Sequence, residues 1–449
     1  MIDGTLNLPM TMHSRWTLRT AAVLLAVPLL LPSGGALFTA TPAQAQGLSA
    51  SAKTLPHPLF VAQARAKQAA RVKTQGPPVA AKSSELPPRE PFTAAEDQVA
   101  TISGMPDARF WADSETDYRK ALPPQPGPWL ILSSGGADGA FGAGLLNGLT
   151  AAGKRPDYAV VTGVSTGALM APFAFAGSRY DAALRKAYTE VTAADVFEAG
   201  ASTGESFVDS WPLRDFIAKQ VTPALLDDVA TAHRAGRRLF VVTSNLDAER
   251  SVVWNMGAIA AHGGDNALKL FRAVLLASAS VPGGFPPVLI DVETNGKHFQ
   301  EMHVDGGLGG QFFVAPAALM TAASDYRLPV TQLYIVVNTG LQPSFKVVDR
   351  FAPTILTQAI GMAVPVDTRL MLSLSYAVAK RSDVAFNVAS IPRSFNTPSK
   401  GPFDPDYMKA LFETGYEQGR GPAAFSAELP PYPNGPTMQP NRIEKTGAN

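Results

Sequence analysis

Ser165 stands in Gly163-Val164-Ser165-Thr166-Gly167, a Gly-x-Ser-x-Gly turn. Between a strand and a helix, such a turn is a nucleophile elbow: the tight bend pushes the hydroxyl out of the sheet, and glycine at both flanks avoids a clash. Tyr158–Val161 suits a strand leading in, and Ala168–Ala176 suits a helix leading out. The chemistry on offer is acyl transfer through a covalent seryl intermediate. The pentapeptide alone is a weak sign. With 38 Gly in 449 residues and Ser at roughly 7% of an average chain, about one such chain in four or five carries a match by chance. The strand-turn-helix context and two further features add the weight.

The first is the loop Ser134-Gly135-Gly136-Ala137-Asp138-Gly139, which follows Trp129-Leu130-Ile131-Leu132 and opens a helix through Gly142 and Gly144. Glycines at a helix N-terminus leave backbone N–H groups uncovered, a ready site for a negative oxygen. No Gly-x-Gly-x-x-Gly and no Gly-Lys-Ser/Thr occurs in this stretch, so both nucleotide-phosphate fingerprints fail. An oxyanion hole is the functional reading left, and close helix packing is the plain one.

The second is a base for the serine proton. Only six His are present, and the last is His303. A triad in the order Ser, acid, His could use His298 or His303 with an acid lying between. The stronger candidate is Asp305, in Val304-Asp305-Gly306-Gly307, and no His follows it. Asp305 would therefore act on Ser165 directly, as a dyad. A carboxylate is a weak base at its usual pKa of about 3.9, so a dry, apolar setting is required.

In this order, the glycine loop, the elbow and Asp-Gly-Gly resemble the patatin-like phospholipase family. The resemblance runs from about Trp129 to about Arg420 and takes in Ala279-Ser280-Val281-Pro282-Gly283-Gly284-Phe285-Pro286-Pro287, similar to a family loop between elbow and Asp. It implies a three-layer α/β/α sandwich around a mostly parallel sheet, a Ser–Asp dyad without His, and hydrolysis of lipid acyl esters with no metal or cofactor. Residue by residue, it makes Ser165 the nucleophile, Asp305 the base, and the N–H groups around Gly135, Gly136 and Ala137 the oxyanion hole. The family loop usually reads Gly-Gly-Gly-x-Arg/Lys-Gly, whereas Ser134 and Asp138 stand here at the first Gly and the basic position. An anion aimed into the site would oppose an oxyanion, so Asp138 is expected to point outward. Its presence favours a simple esterase or lipase over a phospholipid-specific enzyme.

The elements that must position these residues alternate. Leu239–Val242 and Tyr334–Val337 read as further buried strands, and Leu213–Ala218 and Leu268–Ala277 as helices. Strands alternating with helices indicate an α/β layered fold. Residues 46–127 are rich in Ala, Pro, Lys and Gln and read as an arm or linker, with a short helix between Ala94 and Lys120. Residues 128–424 form the hydrolase domain, and 425–449 a Pro-rich tail.

Composition sets the outer limits. Apolar residues make up 46%, charged residues 17%, and the formal net charge is +1. That suits a globular chain and argues against nucleic acid as partner, which needs a clustered basic surface. Arg15 and Arg19 precede the apolar run Ala21–Leu31, and Ala43-Gln44-Ala45 follows as a small-x-small site. Residues 1–45 thus read as a signal peptide cut after Ala45, and the product as periplasmic or secreted. There is no Cys, so neither disulfides nor Cys-ligated zinc arises. The expected partner is a lipid or other acyl ester, with transient contact to a lipid surface. A Ser-His-Asp esterase and a non-catalytic exported lipid-binding protein are the competing readings.

Overall fold

Strand side chains point alternately to opposite faces of a sheet, and here both faces are apolar. Leu130, Leu132, Val161, Leu239 and Val241 enter one buried cluster. Trp129, Ile131, Val160, Phe240 and Val242 enter a second. A sheet of this kind must be covered on both sides, giving three layers.

The computed structural model describes residues 86–199, 205–206, 208–343 and 347–431. The expected signal peptide, residues 1–45, lies outside the described residues, as do the first part of the expected arm and residues 432–449 of the expected tail. The described strands of the main sheet are β1 (Arg109–Trp111), β2 (Gly127–Leu132), β3 (Val160–Val164), β4 (Arg238–Asn245), β5 (Arg250–Asn255), β6 (Val288–Thr294), β7 (Lys297–Asp305), β8 (Val330–Val337) and β9 (Ala385–Ser390). Seven of them run in the order β1-β5-β4-β3-β2-β8-β9, and β6 pairs antiparallel with β7 off this path. The run β4-β3-β2-β8-β9 is parallel throughout. β1 and β5 add an antiparallel edge.

β7 joins where β3 stops. β3 pairs with β4 as far as Val164 against Val242. β5 already lies along β4 from Phe240 to Asn245, so β7 takes the other edge, with Asp305 opposite Thr243. The β4 partners of Val164 and Asp305, Val242 and Thr243, are therefore consecutive residues.

One face carries helices α1 (Gly139–Ala151), α2 (Thr166–Ala176), α3 (Gly264–Ser278) and α5 (Pro405–Arg420). α1 and α5 meet backbone to backbone: a Cβ added at Gly144 would overlap the carbonyl of Phe412, and one at Gly415 that of Phe141. The other face is covered mainly by α4 (Ala352–Arg381), through Leu372, Val378 and Ala379.

Residues 86–127, read from composition as part of the arm, are built into this unit. Arg109-Phe110-Trp111 is a sheet edge. Thr93 and Glu96 close a capping box on the helix Ala94–Val99. The apolar side chains of Ala108, Phe110 and Trp111 bury enough surface to anchor a Pro-rich stretch. At the other end Ser426 pairs with Val388, and the Phe425 ring lies 5.0 Å from that of Tyr334.

Candidate active site

Val164 ends β3 and Thr166 begins α2, which leaves Ser165 alone to make the turn. Its backbone sits at φ 55°, ψ −122°, a conformation that costs a non-glycine residue about 1–3 kcal/mol. The surroundings enforce it. The Ser165 N–H donates to the Ser278 hydroxyl at 3.1 Å, and that hydroxyl donates to the Val242 carbonyl at 2.7 Å. A Cβ at Gly163 would overlap the Gly167 carbonyl, and one at Gly167 the Leu132 carbonyl, so both flanks must be glycine. Ser165 also stands at the N-terminal end of α2, where the helix dipole favours negative charge on its oxygen.

Asp305 ends β7 beside this turn. Its N–H donates to the Ser280 carbonyl at 2.8 Å, which ties it to the loop Ala279–Pro287. Oδ1 accepts the Gly307 N–H at 2.7 Å. Oδ2 is buried and makes no hydrogen bond of ordinary geometry among the described residues. Burial raises the carboxyl pKa to about 6, while the Ser165 hydroxyl and the Gly307 N–H pull it partly back. Ser165 is thus near enough to bear on the Asp305 carboxyl, although no aligned hydrogen bond joins them.

The glycine loop crosses in front of the elbow. Gly136, with φ +56° and open space where a Cβ would be, borders the same cavity as Ser165. Gly136 and Ala137 begin a 3-10 turn, and the first N–H groups of a helical turn have no internal acceptor. Gly135 passes against Asn338, where any Cβ would overlap the Asn338 carbonyl.

Polar residues that the motifs did not single out hold this loop. Asn338 donates from Nδ2 to the Ser133 carbonyl at 2.9 Å and accepts the Gly142 N–H at 3.1 Å. Gln311 bonds the Ser134 hydroxyl through Oε1 and donates from Nε2 to the Gly307 carbonyl at 2.8 Å. Asn338 follows directly on the apolar end of β8, at the carboxyl edge of a parallel strand where α/β sites gather; that position was its available signal.

Asp138 points away from the Ser165 cavity, as expected, and is held by a partner. It accepts the Tyr407 hydroxyl at 2.6 Å, and burial holds its pKa near 6 against that bond and one from the Gly340 backbone. Tyr407 belongs to α5, which packs on α1, so the acid is spent on fixing the loop to that helix pair. Asp138 does not line the cavity containing Ser165.

That cavity encloses about 840 Å³, mouth included. Its walls are mainly apolar, Leu169, Phe173, Leu213, Phe216, Leu275 and Met408 among them, and Ser165, Thr166, Tyr188 and Gln220 are its polar members. Phe197, Phe285 and Phe403 cluster beside it, with ring centroids 6.4 and 6.5 Å from Phe197. Such a space suits a hydrocarbon chain whose reacting end lies at Ser165.

The two histidines stand elsewhere. His303 is fully buried, with Nδ1 2.9 Å from the Thr243 hydroxyl and Nε2 3.0 Å from Glu301 Oε2. Burial pushes Glu301 up, but the bonds from Arg109 and His303 outweigh it and hold the carboxyl at about 2. His298 lies on the surface, 3.5 Å from Glu293. Neither lines the Ser165 cavity.

Residues 130–318 match the family model described as patatin-like phospholipase. Among solved structures the chain is similar to VipD from Legionella pneumophila, with 14% identity and a TM-score of 0.32 over 67% of this chain and 66% of that one. It is also similar to the type III effector protein ExoU, with 16% identity and a TM-score of 0.20 over 67% of this chain and 54% of that one. The chain thus spans under two thirds of either protein. No curated protein matches it.

Proposed function

From a chain whose residues 130–318 are a patatin-like phospholipase domain, we propose a lipid acyl hydrolase of the phospholipase A type that works through Ser165 and Asp305. The observation that carries this reading is a serine in a strained elbow, at the wall of an apolar cavity, beside a buried carboxylate whose pKa is raised to about 6. A pKa near 6 leaves the group ionised at neutral pH yet basic enough to accept a proton.

Asp305 takes the proton of the Ser165 hydroxyl as its oxygen bonds to the ester carbonyl carbon. The carbonyl electron pair moves onto oxygen, where the N–H groups around Gly135, Gly136 and Ala137 stabilise it. The tetrahedral intermediate collapses, the C–O bond to the alcohol breaks, and Asp305 returns its proton to the leaving oxygen. Water then adds to the acyl-enzyme, giving Asp305 a proton that passes back to Ser165 on release of the acid. The acyl chain occupies the cavity between Leu169, Phe173 and Leu213.

A hydroxyl in this setting should be labelled by a fluorophosphonate, and purified protein should cleave a short-chain aryl ester. Equal turnover by Ser165→Ala would end the reading, and absence of labelling would leave a lipid-binding protein. A panel of phospholipids and neutral esters separates a phospholipase from a simple esterase. We also propose export through residues 1–45, supported by Arg15, Arg19, the apolar run and Ala43-Gln44-Ala45. Sequencing of the mature N-terminus should begin at Gln46.

A further inference from the structure

Helix α4 is two different objects along its length. From Thr368 to Ala379 it is packed: Thr368, Leu372, Ser375, Val378 and Ala379 are buried. Before Asp367 it is open along one broad side: Ile355, Leu356, Ile360, Met362 and Val366 are exposed, Met362 and Val366 by 68% and 69%, while Thr354, Gln358, Val364 and Pro365 are half-buried. Phe351 and Val347, just ahead of the helix, are exposed as well. From Phe351 to Val366 the sequence contains no Asp, Glu, Lys, Arg or His.

The exposed apolar arc is broad. At about 100° per residue, Ile355, Leu356, Ile360 and Met362 span roughly 160° of the helix circumference. The half-buried Thr354, Gln358 and Pro365 lie together on the opposite side. A fluid apolar medium can cover an uncharged arc of this width without a groove shaped to it. Among the described residues no helix is long and apolar enough to cross a membrane.

This open half is wired to the site. Its last residue before the packed half, Asp367, accepts the Gln311 N–H at 3.1 Å. Gln311 in turn holds Ser134 of the glycine loop and Gly307 of the Asp305 loop. Leu308, in that same loop, is exposed by 61%. Pro365 lies at the junction, where it withholds the N–H that would have bonded to Gly361 and leaves the two halves free to bend.

We propose that residues 351–366 are a lipid-docking element that dips into one leaflet of a bilayer or micelle and brings the catalytic end of the sheet onto the surface holding the substrate. The idea depends on the acyl-hydrolase reading for its purpose, but its test does not need turnover. The stretch carries no charge, so docking is apolar, and zwitterionic vesicles should serve as well as anionic ones, with little effect of salt.

The experiment uses the full chain with Ser165→Ala, so that hydrolysis plays no part. Sedimentation with phosphatidylcholine vesicles should pull the protein down, and adding Ile355→Glu and Met362→Glu should weaken binding at least tenfold. Because the chain has no Cys, Met362→Cys can carry a single environment-sensitive fluorophore, whose emission should shift to the blue on vesicles. With Ser165 restored, the double variant should keep its rate on a soluble ester and lose it on vesicles. Undiminished vesicle binding by the double variant, or no spectral shift, overturns the proposal. So does a dimer that the two substitutions split, which would make a second copy the occupant. A fall of several degrees in melting temperature on substitution also overturns it, because the face would then be covered by the chain itself. Absence of soluble-ester activity in the Ser165 protein refutes the hydrolase reading alone.

Discussion

Ser134 and Gln311 are joined twice: the Ser134 N–H donates to the Gln311 carbonyl at 2.9 Å, and the Ser134 hydroxyl bonds the Gln311 side-chain oxygen. Gln311 also reaches Gly307, two residues past the proposed base. One side chain therefore ties the glycine loop to the loop that follows Asp305. Gln311→Leu should lower kcat about tenfold with little change in KM, since a buried hydrogen bond contributes about 1–1.5 kcal/mol, here to transition-state geometry. Steady-state kinetics on a soluble ester check this, and a rise in KM alone would argue against it.

Asp305 gives a pH signature of definite sign. As a base it must be ionised, so kcat should rise as pH climbs through about 6 and then level off. Stability runs the other way. The folded pKa of about 6 lies above the unfolded value of about 3.9. The folded state therefore holds the proton more tightly, and the stabilisation present below pH 4 is lost as pH rises through 6. Asp305→Asn should be inactive yet melt higher than the parent at pH 7.5, by the equivalent of about 2–3 kcal/mol. The gap should close toward pH 4, which calorimetry at several pH values would measure.

The three glycines of the site should respond differently to Ala. At Gly163 and Gly167 the added Cβ meets backbone carbonyls that cannot move aside, so both variants should fold poorly, as measured by soluble yield and circular dichroism. At Gly136 there is open space, and only the positive φ opposes Ala, at about 1 kcal/mol. Gly136→Ala should stay folded and lose activity, because the new methyl group enters the cavity beside Ser165.

His303 and its neighbours should matter for stability and not for chemistry. Arg109 bonds Glu301 Oε1 at 2.6 Å, and Glu301 bonds His303. Arg109→Met leaves a buried carboxylate uncompensated, at about 3–5 kcal/mol. His303→Gln should lower the melting temperature and keep kcat within a few-fold of the parent. His298→Ala should change neither. Loss of turnover in folded His303→Gln would revive a Ser-His-Asp triad.

The parts of the site legible in the sequence are those with local grammar. The elbow, the glycine loop and Asp-Gly-Gly each make sense within six residues, and strands such as Leu239–Val242 show as apolar runs. Ser278, Gln311 and Asn338 had no such grammar. Each is one polar residue that matters through a partner far away in sequence. Helix Ala352–Arg381 escaped notice because Gly361 and Pro365 read as breaks, and its apolar residues lack a single-face period. The strand Arg109–Trp111 was hidden by Pro-rich surroundings, although Thr93-Ala94-Ala95-Glu96 offered a capping-box signal nearby. That Asp138 is held by Tyr407 had no local sign, because Tyr407 lies at the far end of the chain.

The seating of Asp305 at the end of β7, one step along β4 from Val164, also makes turnover a clock for folding. Residues 165 and 305 meet only after β4 has paired with β3 on one stretch of its edge and with β7 on the next. Contacts of such long sequence separation close late. During refolding, ester hydrolysis should therefore lag behind the return of helical signal. Catalytic activity would report the last joint of the sheet to form.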